Sequence, residues 1–153
     1  MQIIIQELIS VVHEYGKKLA AISDENFSVK PLPNKWSKIE VLGHLVDSAQ
    51  NNLRRFICSQ YELPPQLITY DQDFWVLANQ YSDSNKEDMI RLWILLNQRI
   101  AAVLKTMPET NYQKFCPTAN GPRSVEWFAA DYIKHLKHHL NQILPESFDI
   151  VYP

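Results

Sequence analysis

Apolar residues recur at three- and four-residue intervals through most of this chain, and these runs sort into four long amphipathic segments. Ile4, Ile5, Leu8, Val12, Tyr15 and Leu19 predict a first helix from about Ile3 to about Ile22, ending near Ser23-Asp24-Glu25-Asn26. A loop through Pro31 and Pro33 leads to Ser37 and Glu40, spaced as a capping box in which each side chain satisfies a free backbone N–H. A second helix follows, with Leu42, Leu45, Val46, Ala49, Leu53 and Phe56 on one face, and stops before Pro64-Pro65.

Gln66 to Asp83 carries Tyr70, Phe74, Trp75 and Tyr81 without a sustained period, so it reads as a crossover with one short helix, packed over the rest. Ser84 and Glu87 repeat the capping-box spacing ahead of a third helix, marked by Met89, Leu92, Trp93, Leu96, Ile100, Val103 and Leu104 and ended before Pro108. Cys116-Pro117 and Asn120-Gly121-Pro122 mark a loop. Ser124 then caps a fourth helix that runs to about Leu144 and is closed by Pro145. Strand signals are weak, and there is no internal repeat. Four amphipathic helices with one long crossover predict an all-α four-helix bundle.

Composition narrows the class. The 153 residues suit a single domain, 1–153, able to bury a core without disulfides. A net charge of -2 with no basic block excludes the electrostatic footprint of a nucleic-acid binder. Cys58 and Cys116 are far apart and read as reduced thiols, which places the protein in the cytoplasm. The N-terminal apolar cluster lacks a basic flank, so no secretory signal is expected, and no uncharged apolar run is long enough to span a bilayer. The aromatic crossover from Tyr70 to Tyr81, together with exposed apolar residues, predicts a homodimer.

Candidate chemistry concentrates in the fourth helix, where Asp131-Tyr132-Ile133-Lys134-His135-Leu136-Lys137-His138-His139 holds three of the five histidines. His135 and His139 are four residues apart, one turn above each other on one face, a spacing able to chelate one divalent ion. At about 100° per residue, His139 falls within the inward arc of Phe128, Tyr132, Leu136, Leu140 and Ile143, with His135 at its margin. Buried imidazoles there require hydrogen-bond partners or a metal, and the spacing alone leaves both open. His138 turns off the arc, as a surface residue or a second-layer partner. Asp131, one turn before His135, is placed either to accept the proton of its non-coordinating nitrogen or to be a solvated acid.

His44 is the candidate third ligand. Its stripe, with Glu40, Ser48, Asn51 and Arg55, lies opposite the apolar face of the second helix, and periodicity alone assigns that stripe to solvent. Gly43 points the other way. A glycine inside a helix costs about 1 kcal/mol relative to alanine, and close approach of another element beside His44 explains its presence.

The segment from Pro33 to Asp47, containing Trp36-Ser37-Lys38-Ile39-Glu40 and Gly43-His44-Leu45-Val46-Asp47, resembles the second-helix motif of the DinB/YfiT-like superfamily. Trp127, His135-Leu136-Lys137-His138-His139 and Gln142-Ile143 resemble its closing motif. The resemblance spans essentially the whole chain, with the middle third contributing only helix pattern. It implies a DinB-like four-helix bundle in which His44, His135 and His139 bind one divalent metal ion, so that the polar stripe of the second helix lines a cleft.

Imidazole ligands favour zinc or nickel, with manganese or iron as further candidates. The best-understood members are transferases or isomerases that use a low-molecular-weight thiol, which implies a small thiol cosubstrate and a small electrophile as partners, with no nucleic acid and no membrane. On that reading Arg55 is a candidate to hold an anionic group, its alternative being a surface cation, and Asp47, one turn from His44, to orient it. No catalytic base stands out. Two classes remain: an enzyme, either a thiol-dependent S-transferase or a metal-dependent hydrolase, and a non-catalytic bundle that keeps the metal for binding or assembly.

Overall fold

A computed structural model describes residues 1–63 and 65–152. Four long helices dominate it: α1 (Gln2–Ala20), α3 (Lys38–Cys58), α5 (Lys86–Thr106) and α6 (Val125–Ile143). The expected stop of the second helix at Pro64 lies outside the described residues, and α3 already ends at Cys58. Two short helices, α2 (Asp24–Ser28) and α4 (Gln72–Asn79), lie in the connections, and a 3-10 turn at Tyr81–Asp83 leads into α5. The crossover helix was expected; α2 was not. Ser23 caps α2 by accepting from the Asn26 N–H, and Phe27 is fully buried.

Local chemistry sets most boundaries. The Ser37 side chain accepts from the Glu40 N–H while the Glu40 carboxylate accepts from the Ser37 N–H at 2.7 Å, so the capping box at the start of α3 is present. Lys30 pairs with the same carboxylate at 2.8 Å. Ser124 caps α6 through the Trp127 N–H at 3.1 Å. At α5 the expectation fails by one residue: Asn85, not Ser84, is the cap, accepting from the Asp88 N–H at 3.0 Å. Ser84 instead closes the preceding 3-10 turn through its own N–H. A further difference is a two-residue antiparallel ribbon, β1 (Phe115–Cys116) and β2 (Arg123–Ser124), closed by a turn in which Gly121 takes φ +96. Ribbons this short carry no legible alternation.

Both α1 and α3 pack against α5 and α6, which puts α1 and α3 on one diagonal of a four-helix bundle and α5 and α6 on the other. Leu8, Leu19, Leu42, Leu45, Trp93, Ile100, Leu104, Leu136 and Leu140 fill the space between them. Full burial of each such side chain is worth about 1.5–3 kcal/mol. Among the described residues no helix is long and apolar enough to cross a membrane.

The long crossover decides what becomes of the polar face of α3. α4 and the 3-10 turn pack on α3, so Glu40, His44, Asp47 and Ser48 are all buried. Periodicity assigned this stripe to solvent, and the structure corrects it. From Ile39 to Ala49 the helix is covered on every side, and its exposed positions, Gln50, Arg54 and Ile57, lie only in its second half.

Candidate metal centre

His44 projects from the covered face of α3, and His135 and His139 project from α6 beside it. His44 is 1% exposed, while both α6 histidines are partly buried at the floor of a cleft. The facing Nε2 atoms of His44 and His135 are 3.1 Å apart. Ring centroids lie at 5.1 Å for His44 to His135, 4.5 Å for His44 to His139 and 4.4 Å for His135 to His139. One ligating atom from each of the three falls within 4.8 Å of the others.

The electrostatics suit a cation. Burial, reinforced by the neighbouring His139, pushes His44 down to about 3, and burial with the other histidines pushes His135 down to about 2. His139 is also lowered, mainly by burial. All three are therefore neutral at pH 7, the form in which imidazole ligates. Two Nε2 atoms facing at 3.1 Å share one proton at most, and among the described residues no carboxylate bonds any of the three rings. His44 Nδ1 is buried without a partner. Such a donor set fits a divalent ion better than it fits a hydrogen-bonded core.

The surroundings come from three segments. Trp36, just ahead of α3, lies 5.2 Å from the His44 ring, and Tyr70 of the crossover lies 6.4 Å from it. The chain beyond α6 returns along the bundle. Asn141 exchanges two 2.9 Å bonds with the Phe148 backbone, and the Phe148 ring stacks on Tyr15 at 4.7 Å. This strap sets Tyr152 against His135 and His138, at 5.7 and 5.6 Å. The resulting cleft, about 910 Å³, is lined by Trp36, Lys35, Lys38, Asp73, His138 and Tyr152 among others. Sequence reasoning missed Trp36, Tyr70 and Tyr152 as site residues. Trp36 stood in the quoted motif and was the one detectable signal; the other two reach the site only through long-range folding.

The remaining candidates take different places. Asp47 is fully buried and accepts from Tyr81 Oη at 2.6 Å and Asn79 Nδ2 at 3.4 Å, so it anchors the crossover and does not bond His44. Arg55 is half-buried, not a surface cation, and part of its guanidinium is engaged within the protein. It donates to Asn52 Oδ1 and, at 2.9 Å, to the Ile68 carbonyl, and it lies 4.4 Å from the Phe128 ring. Asp131 accepts from Tyr152 Oη at 3.3 Å and is not the partner of His135, whose Nδ1 instead faces Ser48 Oγ at 3.4 Å. His138 is on the cleft wall, bonded to Gln142 Nε2 at 3.2 Å.

The sequence pattern of the DinB superfamily matches residues 10–143. The chain belongs to this superfamily. YfiT of Bacillus subtilis is 23% identical over 141 residues, 91% of this chain and 79% of YfiT. A Bacillus licheniformis protein designated a metal-dependent hydrolase is also 23% identical, over 91% of this chain and 80% of its own length.

The structure of YfiT, described as a probable metal-dependent hydrolase with an unusual four-helix bundle topology, superposes with a TM-score of 0.84 at 22% identity, covering 93% of this chain and 82% of that one. A mycothiol-dependent maleylpyruvate isomerase superposes with a TM-score of 0.72 at 11% identity, over 98% of this chain and 62% of the isomerase. At these identities the structural likeness establishes the fold. It is the DinB-like four-helix bundle expected from the sequence.

Proposed function

We propose that His44, His135 and His139 hold one divalent ion, zinc or nickel before manganese or iron, and that this DinB protein is a metal-dependent S-transferase using a small thiol. The observation that carries the reading is the convergence of three neutral imidazoles from two helices at the floor of an open cleft. When bound, a divalent ion there supplies Lewis acidity that favours the deprotonated form of a thiol or of water at neutral pH. The chain's own residues do the rest. Trp36, Tyr70 and Tyr152 shield the imidazoles from bulk water, and the cleft between Lys35, Lys38 and Asp73 is of a size for one small thiol and one electrophile.

The thiol is suggested by the isomerase that shares the fold and depends on mycothiol. Hydrolysis is the second reading, favoured by the description of YfiT as a metal-dependent hydrolase. In both, the protein works in the cytoplasm as a single domain paired in a homodimer, with the exposed apolar residues Phe74 and Leu77 of α4 at the subunit contact. A monomer in light scattering across micromolar concentrations rejects the dimer.

Metal analysis of the purified chain, followed by assay of small thiols against one generic electrophile and of esters alone, tests the reading. About one ion per chain and thiol conjugation abolished by chelation are expected. Ester cleavage without thiol dependence selects the hydrolase. Bound metal with no turnover of either kind leaves a binding module and sinks the enzyme.

A further inference from the structure

His135 and His139 each turn Nδ1 toward a protein partner. Gln142 Oε1 lies 3.0 Å from His139 Nδ1, and Ser48 Oγ lies 3.4 Å from His135 Nδ1. A neutral imidazole carries one N–H, so the nitrogen that bears it cannot ligate, and the partner at one nitrogen decides the state of the other. The amide oxygen of Gln142 only accepts, which places the His139 proton on Nδ1. At its other end the same amide turns Nε2 to His138 Nε2 at 3.2 Å, so one side chain bridges two imidazoles. A flipped amide would reverse both bonds at once, so the proton positions of His138 and His139 are linked through Gln142.

Ser48 is oriented from the opposite side. Arg55 has donors only, so its contact with Asn52 Oδ1 turns Asn52 Nδ2 toward Ser48, where the carbonyl accepts at 2.9 Å and the hydroxyl at 3.4 Å. Asn52 Nδ2 occupies one lone pair of Oγ, and the second is the acceptor that faces His135 Nδ1. Ser48 is 3% exposed, so no bulk water stands ready to replace it.

We propose that Gln142 and Ser48 are positioning residues that hold His139 and His135 as Nδ1–H tautomers, keeping both Nε2 atoms bare beside the His44 ring. This rests on the three histidines being the metal ligands, and it extends that reading to how the site is prepared before any ion arrives. It also gives the Arg55–Asn52 pair a place in the site, at the far end of the chain of contacts that orients Ser48.

Long-range proton–nitrogen NMR correlations on the metal-free, histidine-labelled full chain read each tautomer directly, and zinc competition titration reads affinity. In the wild type, His135 and His139 should both carry the proton on Nδ1. Gln142→Leu should move His139 toward the Nε2–H form and leave His135 unchanged; Ser48→Ala should do the reverse. Each should weaken zinc binding about tenfold, as loss of a histidine's outer partner does. Gln142→Glu, whose carboxylate still accepts, should keep both tautomer and affinity, which separates positioning from damage to the fold. Nε2–H forms in the wild type, or tautomers indifferent to both substitutions, overturn the proposal, as does a changed tautomer with unchanged zinc affinity. A wild type that binds no zinc but shows the two separate tautomer responses supports the positioning role and defeats the metal assignment instead.

Discussion

The ring of Tyr81 lies on the backbone of Gly43 so closely that a Cβ at position 43 would stand 2.1 Å from ring Cδ2. One turn further along α3, Asp47 accepts the Tyr81 hydroxyl at 2.6 Å. Gly43 makes room for the ring and Asp47 holds its tip, so the crossover is seated on the polar face of α3 and His44, between them in sequence, is enclosed. The path from one glycine to a buried imidazole is short and physical.

Gly43→Ala should therefore destabilise the fold, against helix propensity. Alanine gains about 1 kcal/mol in an unobstructed helix, but the ring cannot move away while its hydroxyl is held, and overpacking costs about 1–3 kcal/mol. A net loss is expected in urea denaturation. In a Tyr81→Ala background the same substitution should become neutral or stabilising. Stabilisation by Gly43→Ala alone would show that the ring yields freely.

Asp47 gives a pH signature. Burial pushes its carboxyl up to about 6, with the Tyr81 hydroxyl bond opposing in part. The unfolded value is about 3.9, so between about pH 4 and 6 the folded protein keeps a proton that the unfolded chain has released. Stability from this group is thus present at low pH and lost as pH rises through that window, by up to about 3 kcal/mol. Asp47→Asn removes the titration. Compared in chelator, the variant should gain on the wild type as pH rises from 4 to 7, and parallel stability curves would contradict the raised value.

How far the sequence spoke for this site depends on which force placed each residue. Helical period and proline stops located the four long helices, and the capping residues Ser37 and Ser124 marked two of their starts, because those signals act within one or two turns. His135 and His139 were legible for the same reason. His44 was legible only through family resemblance, since its own stripe reads as solvent and is buried by a crossover that carries no clean period. Spacing left Asp131 either against His135 or in solvent, yet a tyrosine from the returning C-terminal strap claims it. Contacts across such distances leave no local trace.

That strap offers a separable test. Phe148 stacks on Tyr15, and Lys137 Nζ stands 5.3 Å from its ring, so Phe148 is the apolar pin that holds Tyr152 beside the histidines. Phe148→Ala should release the segment beyond α6 while the bundle stays folded. Amide exchange should accelerate about tenfold or more over residues 146–152 and change little within α5, as expected for loss of a partly buried ring worth about 1.5 kcal/mol or more. Uniform acceleration across the chain would mean instead that the strap is part of the cooperative core.

The metal reading makes its own demand on stability. An ion that binds the folded imidazoles and not the unfolded chain stabilises by mass action, about 2.7 kcal/mol when free ion is a hundredfold above its dissociation constant. Zinc added to the chelator-stripped protein should raise the unfolding midpoint in a concentration-dependent way. His139→Ala removes one of the three nitrogens and leaves the helix intact, because alanine is the better helix former and the position is only partly buried. Its circular dichroism should match the wild type while its zinc response disappears. A His139→Ala protein that keeps the full zinc-induced shift would place the ion elsewhere and dissolve the link between the cleft floor and metal chemistry.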